Sequence, residues 1–142
     1  MIDRERVMAK IAFIRSQVSS IRELLTARSR EQITGDPWLT KGLIYSLQTA
    51  IEAMIDLLYH LAAKKYGYAP ADARDALRVL VEKGLIPEAD RPVYSAMIGF
   101  RNRVVHGYME VSPERVYEMA EKELGDFERF ISQIKGVLAN DR

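Results

Sequence analysis

Apolar residues recur along this chain at helical spacing. Val7, Ile11, Ile14, Val18, Ile21 and Leu25 step by four and three residues, the seam of a long helix that Asp3 is placed to cap. A weaker continuation runs through Glu31 and Ile33 until Gly35. Asp36-Pro37 then pairs a capping residue with proline at the first helical position, and a second long helix runs through Trp38, Leu43, Leu47, Ala50, Ile51, Met54, Leu58 and Leu61 to about Tyr66, where Gly67 and Pro70 stop it. That helix is apolar on more than one face, so it belongs at the centre of a bundle or between the bundle and a partner. A short helix is predicted over about Asp72–Lys83. Another begins near Leu85–Glu88 and continues through Val93, Met97, Phe100 and Val104 to Gly107. Ser112-Pro113 opens the last, with Val116, Ala120, Leu124, Phe127, Ile131, Ile134 and Leu138 on its inner row. No stretch alternates with the period of a strand. The expected fold is all-α, a single domain over residues 1–142 forming a four- to five-helix up-and-down bundle.

Composition narrows the chemistry. The 142 residues include 21 Lys and Arg against 20 Asp and Glu, for a net charge of +1. This balance argues against non-specific nucleic-acid binding by the whole surface and leaves room for a small basic site. The absence of Cys excludes thiol nucleophiles, disulfides and thiolate metal sites, and His60 and His106 are too few for a His-rich metal centre. No metal site and no cofactor are expected. No apolar run is long enough to span a membrane, and the first residues, Met-Ile-Asp-Arg-Glu-Arg, lack the apolar core of a secretory signal, which points to the cytoplasm.

Reactive side chains crowd into one segment, Arg101-Asn102-Arg103-Val104-Val105-His106-Gly107-Tyr108. On a helix Asn102 and His106 stack on one face, and Arg101 flanks it with a side chain long enough to reach the imidazole's neighbourhood. Imidazole titrates near neutral pH and exchanges protons with a ribose 2′-hydroxyl or a leaving oxygen. Guanidinium grips phosphate oxygens through a planar fork, and the Asn102 amide can orient imidazole or substrate. The group therefore suits a phosphodiester. By spacing alone, a plainer reading stands ahead of it, in which these cations only complement a helix C-terminus. In that reading Arg103 is a solvated or dimer-interface charge and Tyr108 a half-buried packing residue.

The segment resembles the R-x4-H-x-Y signature of HepT-like toxins, members of the HEPN ribonuclease superfamily. The resemblance extends to Gln48-Thr-Ala-Ile-Glu52-Ala-Met-Ile-Asp56-Leu-Leu-Tyr-His60, to Gly84-Leu-Ile-Pro87-Glu and to Glu114-Arg-Val-Tyr117, in order and spacing. It implies a helical homodimer whose two motifs line one cleft and cut RNA without a metal, with Arg101 and His106 as the catalytic pair and Asn102 in support. It also implies a partner, a minimal nucleotidyltransferase antitoxin of the MntA type, that attaches AMP to Tyr108 and blocks the cleft by bulk and charge. The competing function is a non-catalytic helical module that binds a nucleotide or a partner with the same residues. Of the polar row on the central helix, His60 reads as a structural hydrogen-bonding residue, Glu52 and Asp56 stay open, and Trp38 reads as a packing anchor.

Overall fold

A computed structural model describes residues 1–107 and 111–140. Among them are six α-helices: α1 (Arg4–Ala27), α2 (Arg30–Thr34), α3 (Pro37–Tyr66), α4 (Ala73–Glu82), α5 (Arg91–His106) and α6 (Pro113–Asn140), with a 3-10 turn at Glu88–Asp90. The fold is all-α, as the periodicity predicts. The helix signals act where the sequence places them. Asp3 accepts the Arg6 backbone N–H, Asp36 accepts those of Trp38 and Leu39, and Gly67 and Gly107 end α3 and α5 in the left-handed conformation, with φ of 61° and 66°. The weak continuation after α1 is a separate single turn, α2. Ser29 and Gln32 close a reciprocal capping box there, which starts a new helix where the first one ends.

α3 is the hub. It packs against α1, α2, α4, α5 and α6, and Leu47, Ala50, Ile51, Met54, Leu58 and Leu61 are almost wholly shielded from water. The α1–α3 pair runs antiparallel, since the Met1 amino group meets the Lys64 carbonyl at one end and Lys10 meets Asp56 further along. His60 is fixed here: its Nε2 accepts the Asp3 N–H at 3.0 Å. Burial first, and then nearby Arg6, pushes its pKa down, keeping the neutral acceptor form. The structural reading of His60 holds.

Polar knots tie the outer helices down. Tyr94 donates to Gln133 at 2.8 Å, Gln133 donates to Asp90 at 2.7 Å, and Arg129 pairs with the same Asp90, fastening the start of α5 to α6. Arg30 reaches Glu114 and Glu118, holding α2 to α6. Trp38 departs from expectation. It is 79% exposed with Lys41 over its ring, because it sits on the outer side of α3's first turn and not on the side facing the bundle.

One buried group is not accounted for by packing. Glu123 of α6 faces inward, and its Oε2 has no hydrogen-bond partner among the described residues. Burial, helped by the Asp126 charge, raises its pKa to about 8. The folded chain therefore holds a proton that the unfolded chain releases at lower pH, so this group's contribution to stability declines as pH climbs from 4.5 toward 8. Denaturation of the parent and of Glu123→Gln across pH is expected to show the variant's advantage growing by roughly 2–4 kcal/mol between about pH 5 and pH 9. Parallel profiles for the two proteins would show that Glu123 ionises normally in the fold.

Candidate functional site

The motif residues sit at the C-terminal end of α5, beside the middle of α3. Packing of Met97, Ile98 and Phe100 into the core fixes how α5 is rotated. That rotation brings Arg101, half-buried, over Glu52 of α3. Arg101 Nε donates to Glu52 Oε2 at 3.3 Å, and its Nη1 donates to Asn102 Oδ1 at 3.3 Å. Gln48, one turn earlier on α3, donates to the same Glu52 oxygen at 3.3 Å. Glu52 thus links the central helix to the motif, a role the sequence left unranked. The clue was a carboxylate in the middle of an otherwise apolar helix, where a charge needs a partner.

Arg101 and Asn102 form part of the wall of a groove of about 330 Å³, completed by Ile55, Asp56 and Tyr59 of α3, Asp72 before α4, Ala73 and Arg74 of α4, and Ile98. Both acids in the groove are engaged, Asp56 with Lys10 at 2.7 Å and Asp72 with the Asp75 N–H at 2.8 Å. Asp75 itself is held down at about 2 by the Ala71 N–H, then by Arg78 and the Tyr68 hydroxyl, which locks the turn between α3 and α4 beside the groove. His106 is the exposed last residue of α5, one turn beyond Asn102. Tyr108, the expected site of modification, lies outside the described residues. The expected residues Arg101, Asn102 and His106 therefore share one helix end, and Arg101 and Asn102 are joined directly. Chemically this is a guanidinium fixed at the edge of an open groove with an accessible imidazole at the end of the same helix. That arrangement can bind a phosphoryl group and move a proton beside it.

Comparison with known proteins gives the family and the fold. A sequence model described as "Ribonuclease HepT-like" matches residues 14–134. The chain belongs to the ribonuclease HepT-like family. It is 31% identical over 129 residues to an mRNA nuclease HepT of Shewanella oneidensis, covering 91% of this chain and 96% of the relative. It is also 30% identical over 135 residues to a protein of Archaeoglobus fulgidus named as a putative RNase, covering 95% of each. A solved structure described as a tri-AMPylated Shewanella oneidensis HEPN toxin in complex with an MNT antitoxin superposes with a TM-score of 0.84 at 30% identity, covering 96% of this chain and 99% of the other. The HepT-like fold thus accounts for nearly the whole length, and no described helix is long and apolar enough to cross a membrane.

The Glu52–Arg101 pair is about one-third exposed on each side, so solvent screens it and its contribution to folding is small. A double-mutant cycle of Glu52→Gln and Arg101→Gln in chemical denaturation is expected to give a coupling of at most about 1 kcal/mol. A coupling near 3 kcal/mol or above would mark the pair as a buried structural tie instead.

Proposed function

We propose that this chain is an endoribonuclease toxin that cuts RNA without a metal, with Arg101 and His106 as catalytic residues and Asn102 in support. The observation that carries the reading is the delivery of Arg101 to the lip of an open groove, by Glu52 and Asn102 together, at the helix end that also bears His106. In the reaction, an imidazole takes the proton from a ribose 2′-hydroxyl and the 2′-oxygen attacks the adjacent phosphorus. The bond to the 5′-oxygen breaks, and that oxygen leaves with a proton, giving a 2′,3′-cyclic phosphate and a 5′-hydroxyl. Arg101 stabilises the charge that builds on the phosphoryl oxygens. The cytoplasm, where RNA substrate is plentiful, is the compartment this activity requires.

The active unit in this proposal is a homodimer. Trp38, Gly42, Tyr45, Thr49, Glu52 and Asp56 follow one another on α3 at steps of four and three, forming a single outward stripe. Trp38 and Tyr45 on that stripe are exposed, as are Met8 and Phe13 on α1. Phe13 shares a hollow of about 380 Å³ with Thr49, Glu52 and Asp56. The uncovered apolar surface therefore runs up to the carboxylate that holds Arg101, and a second copy seated there brings two motifs to one cleft. Control follows from Tyr108: an MntA-type nucleotidyltransferase attaches AMP to it, placing bulk and negative charge where RNA phosphate must pass.

The test is incubation with total and transfer RNA in excess EDTA. The parent is expected to cut, and Arg101→Ala and His106→Ala to lose at least about 100-fold in rate. Binding by the parent with no product, from protein shown by mass spectrometry to carry no AMP on Tyr108, favours the non-catalytic module. Sedimentation of the parent is expected to show a dimer, and Phe13→Glu to yield monomers without activity. A parent that cuts RNA as a monomer removes the two-copy cleft.

A further inference from the structure

Arg74 of α4 reaches across to α5. Its Nε donates to the Ser95 hydroxyl at 2.9 Å and its Nη2 to the Ser95 carbonyl at 3.1 Å. One turn along α5 from Ser95 is Gly99, and a Cβ built there would stand 2.8 Å from Arg74 Nη2 and 3.7 Å from Arg103 Nη1. Two consequences follow. Arg74 occupies its position only because residue 99 has no side chain, since real Cβ contacts are not that short. The two guanidinium nitrogens, 2.8 Å and 3.7 Å from the same point, are also at most 6.5 Å from each other.

Two like charges that close repel, and a fold that gathers them ordinarily supplies an acid between them. Among the described residues no carboxylate pairs with either: Arg74 spends its bonds on Ser95, and the nearby acids Asp56 and Asp72 are engaged elsewhere. The described residues therefore leave both guanidinium groups able to take an anion from outside. The geometry suits a phosphate, whose oxygens accept from two planar guanidinium forks at once. Location identifies which phosphate. Ser95, Gly99, Asn102, Arg103 and His106 fall within one stripe of α5 at 100° per residue, and Arg103 is three residues before His106, a rise of about 4.5 Å. Arg74 in addition lines the same groove as Arg101.

Building on the ribonuclease reading above, we propose that Arg74 and Arg103 form a clamp, seated over Gly99, for the RNA backbone phosphate next to the one that is cut. The clamp sets the register of the strand, and Arg101 and His106 perform the chemistry. Gly99 is the fitting residue that lets α4's arginine reach α5.

The probe is a fluorescein-labelled, fully 2′-O-methylated oligonucleotide of mixed sequence, which offers the phosphates but no attacking 2′-hydroxyl. Its affinity is measured against KCl concentration for the parent, Arg74→Gln/Arg103→Gln, Arg74→Lys/Arg103→Lys and Gly99→Ala, with cleavage of the unmodified strand followed in parallel. The Gln pair is expected to bind about tenfold more weakly and to reduce the slope of log affinity against log salt by about 0.7, the value for one phosphate on a single strand. Its KM rises while kcat stays within about twofold of the parent's. The Lys pair keeps the slope. Gly99→Ala keeps both charges yet binds several-fold more weakly, with an unchanged melting temperature, because only the flexible end of Arg74 is displaced. Equal affinity and slope in parent and Gln pair overturn the clamp while leaving cleavage by Arg101 and His106 standing. Loss of slope in the Lys pair as well shows that the two positions serve helix packing, and also overturns it. A parent that neither binds nor cuts RNA brings down the ribonuclease reading, and the clamp with it.

Discussion

A thirty-residue helix with apolar side chains around most of its circumference cannot stand in water, and the rest of this chain is arranged to cover α3. α1 lies antiparallel along it, α4 and α5 close another side, and α2 and α6 cover more of it, leaving the stripe from Trp38 to Asp56 outward. Because the core is continuous through α3, the position of every other helix is set by which of its residues reach that helix. This is how the motif acquires its geometry. Met97, Ile98 and Phe100 must be buried, and burying them rotates Arg101 toward the middle of α3. At that point α3 presents Glu52, a charge where its neighbours are buried Ile51, Ala53 and Met54.

Glu52 therefore does two things that pull in opposite directions. It holds Arg101 in place, which in the proposed role removes entropy that a free arginine would lose on binding phosphate. It also neutralises part of the charge on which that proposed role relies. The geometry moderates the conflict, because Glu52 takes the Nε edge while Asn102 takes Nη1, leaving Nη2 uncommitted among the described residues. Glu52 is also shared with Gln48, which spreads its negative charge further. A weak and partly hydrated pair at this point is suited to positioning in a way that a deeply buried one is not.

The helical architecture was legible in the sequence because the apolar steps of three and four residues and the Asp-Pro, Ser-Pro and Gly punctuation are local signals. The start of α2 was legible only in retrospect, since the Ser29–Gln32 capping box is strong but the turn it opens is too short to show periodicity. Trp38 misleads for the opposite reason: its size argues for burial, whereas its register on α3 places it outside. Arg101, Asn102 and His106 stand out as a candidate site because they are close in sequence. Glu52 and Arg74 could not be ranked, because their partners lie 49 and 21 residues away and contact depends on how whole helices are rotated. Glu123 was equally hidden, since on the helical repeat it sits beside Leu124, and only the packed structure shows which of the two turns inward.

The position of the motif on α5 explains why arginines dominate it. The C-terminal end of a helix carries exposed carbonyls and a partial negative charge, which stabilises Arg103 and His106 in the last turn but repels an incoming anion. Sites that bind phosphate through backbone amides use the other end of a helix. A nuclease built at a C-terminus must therefore supply all of its attraction from side chains, and it must supply enough to overcome the dipole. One arginine tied to a glutamate is poorly matched to that demand. Arg74, brought in from α4, and Arg103, on the same helix, add charge that no described acid offsets. With a net charge of only +1 for the whole chain, the attraction for RNA has to be concentrated within a few ångströms of the groove. Recognition would then depend on where a strand's phosphates fall along α5, and little on the rest of the surface.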